Sequence, residues 1–160
     1  MRASLVAVMA AIAGCGAAES CPAAPEPGCR YTVRGACAVL DPADPLQTNA
    51  IDVPAHLERG IAAGAAYWGA DPDRIVAGVT IVIREHPVWI DGELALGAAS
   101  SRCRMIYLSD GASPMGQEYP GCIDLMLPHE IGHLVLPEDG DHYDPRWANV
   151  DYEGVALCTQ

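Results

Sequence analysis

The sequence predicts an α+β fold: a small mixed sheet, an N-terminal helix, and a C-terminal helix that carries two histidines, stapled together by disulfides. Three observations carry this expectation. Leu57, Ile61, Ala65 and Trp68 recur at spacings of four, four and three, which lines one face of a helix. Ile75 to Ile83 is a run of Val and Ile broken only by Ala77, Gly78 and Thr80, which reads as a buried strand. His129-Glu130-Ile131-Gly132-His133 sets two histidines four apart, one helical turn from each other, shortly before Pro137 stops the helix.

The chain opens with an export signal. Arg2 is the only charge ahead of an apolar run, Leu5 to Ile12, far too short to span a bilayer but long enough for the core of a signal peptide. Ile12-Ala13-Gly14-Cys15 resembles a bacterial lipobox, so residues 1–14 are expected to be removed and Cys15 acylated. This places the protein in the bacterial cell envelope, outside the cytoplasm, held to a membrane by lipid chains. The cysteines agree. Seven is an odd count for an exported chain, but lipidation of Cys15 leaves Cys21, Cys29, Cys37, Cys103, Cys122 and Cys158, enough for three disulfides. Cys29 with Cys37 is expected across a small hairpin at Tyr31 to Gly35, and Cys103 with Cys122 is the weaker expectation.

The formal charge of −12, with no lysine, gives a surface that repels nucleic acid and anionic headgroups. About 145 residues after the signal suffice for one monomeric domain with a real core. Residues 15–49, rich in Ala, Pro, Gly and Cys, read as a tether leading into a disulfide-tied subregion, and residues 50–160 as the catalytic domain. Asp52 and Pro54 start the first helix, and residues 69–74 end it. Pro87 to Ile90 and Glu93 to Leu96 form a possible hairpin around Asp91-Gly92, Gly97 to Ser101 reads as loop, and Arg104 to Leu108 as a further strand. Asp124 is a candidate cap for the histidine helix, with Pro128 tolerated in its first turn. Trp68 and Tyr67 are expected in the core, and His56 and His86 on the surface.

The histidine motif carries the chemistry. Two neutral imidazoles on one helical face can ligate one zinc ion, and a glutamate beside them can take a proton from a metal-bound water as it attacks a carbonyl. The arrangement of a helix, a small sheet and a late helix with His129, Glu130 and His133 resembles a metzincin zinc protease in minimal, divergent form. The resemblance implies a sharp turn after the helix and a third ligand beyond it. At the family's glycine position stands Leu136, at its third-ligand position Asp139, and no methionine follows Met126 to form the family's methionine turn.

The third ligand is therefore open among three residues. His142 is favoured by zinc's preference for nitrogen, with Pro137 and Gly140 available to turn the chain. Asp139 has the metzincin spacing, and its carboxylate is an ordinary zinc ligand. Glu153 has a spacing similar to that used by thermolysin-like gluzincins. Tyr143 or Tyr152 could donate a hydrogen bond to a developing oxyanion, and Arg104 to Leu108, as a sheet edge, could receive an extended peptide. The expected function is zinc-dependent hydrolysis of a peptide or protein substrate, with Zn2+ on His129, His133 and His142 and Glu130 as catalytic base. The alternative is a non-enzymatic envelope lipoprotein, with a structural or relic metal site. Hydrolysis of a non-peptide amide or ester would use the same ligands.

Overall fold

The computed structural model describes residue 21 and residues 28–47, 51–90, 93–111 and 119–159. The expected signal peptide, Cys15 and residues 16–20, 22–27 and 48–49 of the expected tether and N-terminal subregion lie outside them. The expected α+β class is observed. Helix α1 (Val53–Trp68) starts where the sequence places it, with the Asp52 carboxylate accepting from the Ala55 N–H at 3.1 Å and Pro54 in the first turn. It ends at Gly69, whose φ of 69° suits a residue without Cβ.

The β-branched run splits. Asp71 accepts from the N–H groups of Asp73 and Arg74, and with Pro72 nucleates a short helix α2 (Pro72–Val76), drawing Ile75 and Val76 out of the expected strand. Gly78, at φ 70°, then turns the chain into β3 (Thr80–Arg84). Residues read as part of the N-terminal subregion supply β1 (Tyr31–Val33) and β2 (Ala36–Leu40). The expected hairpin is seen as β4 (Val88–Ile90) and β5 (Glu93–Ala95). The segment expected as loop forms β6 (Gly97–Ser100), antiparallel to β7 (Met105–Ser109). Gly-Ala-Ala-Ser has little strand preference of its own, and its pairing comes from the neighbour.

The five-stranded sheet runs β1-β2-β3-β7-β6, with β2, β3 and β7 parallel and an antiparallel strand at each edge. Alternation along β3 divides its faces. Ile81 and Ile83 join the main core with Leu57 and Ile61 of α1, while Val82 joins Val39 and Met105 in a smaller cluster. The histidine helix is α3 (Leu127–Val135), and a last helix, α4 (Trp147–Cys158), packs beside it. No described helix is long and apolar enough to cross a membrane.

Among the described residues, three cysteine pairs stand at disulfide distance. Cys29–Cys37 is as expected, but Cys103 joins Cys21, and Cys122 joins Cys158. The weaker expectation, Cys103 with Cys122, fails on geometry. Cys103 precedes β7, whereas Asp110 just past its other end accepts from the Gly121 N–H at 2.8 Å. A strand of this length therefore separates the two cysteines by on the order of 20 Å.

Asp124 does not cap α3, whose first turn begins after Met126 with no side-chain cap. It is fully buried and accepts from Arg59 Nε and His56 Nδ1, both at 2.7 Å, which ties α1 to the entry of α3. His56 is accordingly half-buried and tied into a network on the buried Asp124, rather than a plain surface histidine. His86 is exposed and pairs with Asp44 at 2.8 Å. Between these helices, Gly60 and Gly64 allow close approach: a Cβ at Gly64 would lie 2.8 Å from Ile131 Cδ1 and 2.9 Å from Pro128 Cα. Gly64→Ala is expected to lower unfolding free energy by about 1–3 kcal/mol through overpacking against the α3 backbone. Denaturant unfolding measures this, and an unchanged midpoint would mean that the two helices separate freely.

Candidate metal centre

Helix α3 turns Leu127, Ile131 and Leu134 into the core and brings His129 and His133 to the opposite side. It is short because Pro137 forces Leu136 out of helical geometry, and the Leu136 N–H closes the last turn on the Gly132 carbonyl at 2.8 Å. The chain then loops back through His142, which has a left-handed backbone at φ 60°.

Asp139 fixes that loop. Its carboxylate accepts from the N–H of Tyr143 at 2.7 Å, the N–H of Asp144 at 2.8 Å and the indole N–H of Trp147 at 2.9 Å. These bonds, led by the one from Asp144, hold its pKa below the ordinary aspartate value. Asp139 is thus occupied in shaping the turn that presents His142.

The outcome is a cluster of three imidazoles. His129, His133 and His142 each offer a ligand-competent atom, and these atoms lie within 4.8 Å of one another. His133 Nε2 and His142 Nε2 are 3.3 Å apart, which matches the edge of a tetrahedral zinc site with Zn–N bonds of about 2.05 Å. Asp139 and Glu153 are outside the cluster, and Glu153 is exposed. Tyr143 and Tyr152 are also exposed, and no described contact joins either to the histidines.

Helix α4 contributes two groups that the sequence reading missed. Asp151 accepts from His129 Nδ1 at 3.0 Å, so the proton sits on that nitrogen and the Nε2 lone pair faces the cluster. That Nε2 is buried with no hydrogen-bond partner. Trp147 lies against all three imidazoles, with ring centroids 4.9, 4.8 and 4.3 Å from His129, His133 and His142. Their spacing of four puts Trp147 and Asp151 on one face of α4, and that was the available signal. Trp68 completes the setting, tilted against Trp147 with ring centroids 4.6 Å apart and donating its indole N–H to the Pro128 carbonyl at 2.8 Å. Gly132 fits between the two indoles, since a Cβ there would come within 2.5 Å of Trp147 and 2.6 Å of Trp68.

The electrostatics favour neutral imidazoles. Burial, reinforced by His129 and His142, pushes His133 down to about 3. Burial and His129 also lower His142. Burial pushes Glu130 up to about 7, with His129 drawing it down and Asp151 adding to the rise. Two imidazoles biased toward the unprotonated form, and a buried nitrogen with no partner, make a donor set that fits a divalent cation preferring nitrogen.

A second group, His56, Cys122 and Asp124, has metal-like spacing but unsuitable chemistry. The Cys122 sulfur is committed to Cys158, and the Arg59 guanidinium already covers the Asp124 carboxylate. No known protein family matches the chain, and neither a curated protein nor a solved structure matches it. Asp151→Asn is expected to weaken zinc affinity by about 10–100-fold, because the amide is a poorer partner for His129 Nδ1. Competition against a chromophoric chelator measures it, and unchanged affinity would remove Asp151 from the centre.

Proposed function

We propose that the chain is a zinc-dependent peptide hydrolase, similar to a minimal metzincin, working outside the cytoplasm with a lipid anchor at Cys15. The observation that carries this reading is the buried, partnerless Nε2 of His129, converging with His133 and His142 beside Glu130. Zinc bound there would supply Lewis acidity, lowering the pKa of a coordinated water and polarising the substrate carbonyl.

The protein's own residues do the rest. Asp151 sets the His129 tautomer, and Asp139 holds His142 in reach. Glu130 takes the proton from the attacking water and returns it to the departing amine. The substrate strand pairs with β6, since β7 lies inside the sheet between β3 and β6 and has no free edge. This reassigns the peptide-binding strand expected from the sequence at Arg104 to Leu108. Three disulfide-distance pairs suit an oxidising compartment, and the acidic surface suits a partner other than nucleic acid.

One observation favours the rival reading of a non-enzymatic envelope protein. Glu130 is only 1% exposed, so a substrate water must reach it by displacing neighbouring atoms.

Metal analysis and activity separate the two readings. The chain from residue 16, purified oxidised, is expected to carry one zinc, lost in His133→Ala. Zinc affinity should fall further in His142→Ala than in Asp139→Ala, and the opposite order would make Asp139 the ligand. Glu130→Gln is expected to retain zinc while hydrolysis of a peptide library falls by about 10²–10⁴-fold. Full activity in that variant would refute the mechanism, and a folded chain without zinc would favour the rival.

A further inference from the structure

Strand β6 begins at Gly97, opposite Leu108 of β7. A Cβ placed on Gly97 would lie 2.5 Å from Glu130 Oε1 and 3.1 Å from Glu130 Cδ, with Met126 Cβ also at 3.1 Å. The first distance is too short for any real contact. Glu130 therefore occupies the space that a side chain at position 97 would fill.

The backbone at this point has little room to yield. The Leu96 carbonyl, one residue earlier, accepts from both the N–H and the hydroxyl of Ser109, itself buried at the end of β7. Gly97 is not in the left-handed region, so alanine suits its backbone. The shortest conflict is with the end of one flexible side chain, while Met126 Cβ, fixed to the start of α3, would have to give by a few tenths of an ångström. An alanine would spare the strand and evict the carboxylate.

We propose that Gly97 is the positioning residue for Glu130: its missing side chain forms the slot that aims the carboxylate at the histidine cluster. The edge strand then has two tasks, receiving substrate and seating the base. This rests on the reading of Glu130 as the base, but the slot is a steric claim that can be tested separately. A displacement near 1 Å is enough to cost about 10²-fold in rate when the group must meet its target in one geometry.

The test uses the chain from residue 16 with zinc, as wild type, Gly97→Ala, Glu130→Ala and the double variant, with Glu130→Gln assayed alongside. Gly97→Ala should keep zinc affinity and KM for a quenched peptide library while kcat falls about 10²-fold. Its Tm should drop in the Glu130 background, and that drop should shrink to the small part owed to Met126 when residue 130 is alanine, because removing the carboxylate removes the main clash. An equal Tm loss in both backgrounds would overturn the slot and leave Gly97 a structural residue.

Full kcat in Gly97→Ala with Glu130→Gln inactive would also overturn it, while leaving Glu130 as base. If Glu130→Gln retains full activity, the base assignment falls instead, and the Tm comparison alone decides the slot. If Gly97→Ala does not fold, rescue by Glu130→Ala supports the proposal and failure of rescue overturns it.

Discussion

His129 uses its two ring nitrogens in opposite ways, and the arrangement around α3 depends on that division. Nδ1 is bonded to Asp151, while Nε2 is buried and bare. Desolvating a ring nitrogen with no partner costs on the order of 1–3 kcal/mol, an expense that a purely structural helix would gain nothing by bearing. Three separate contacts hold α3 where this happens: glycines of α1 below it, the indoles of Trp68 and Trp147 against Gly132, and the Asp124 network at its entry. Each fixes a different part of the same nine-residue helix.

The loop after α3 gathers the three imidazoles without the landmarks of the metzincin pattern that the motif resembles. Where the metzincin pattern has a glycine, this chain has Leu136, and the return of the chain is organised by Asp139 through three hydrogen bonds. Where that pattern has a methionine, the imidazoles here rest on the indole of Trp147. The two substitutions are joined, because the third bond to Asp139 comes from Trp147. The loop and the aromatic surface are therefore one unit, and displacing either disturbs the other.

Much of this was legible in the sequence wherever the signal was local. Helix α1 announces itself through Asp52, Pro54, the four-four-three period and Gly69, and the histidine motif through its spacing. The reading faltered where the decisive partner was remote. Asp124 looks like a cap until Arg59 and His56, more than sixty residues away, are seen to claim it. Residues 97–100 look like loop because glycine, alanine and serine carry no strand preference, and only pairing with β7 makes them a strand. Ile75 and Val76 were lost to a helix because Asp71-Pro72 is a stronger local instruction than β-branching. Asp151 and Trp147 had a spacing to offer but no reason to be read before α4 was known to lie on α3.

The Cys122–Cys158 bond has a wider meaning when its two ends are set against the residues of the centre. His129, Glu130, His133, Asp139, His142, Trp147 and Asp151 all fall between them, so the covalent bond closes a macrocycle around the imidazoles and the described side chains that bond or pack on them. Closing a ring of this length removes about 4 kcal/mol of disorder from the unfolded chain, independently of any ion. Oxidation of this pair thus narrows the unfolded ensemble that the cluster is drawn from. In a reducing compartment the same residues belong to an open chain, and the donors must be gathered without that help. The geometry of the three imidazoles is in this way tied to the state of a covalent bond made outside their own helix.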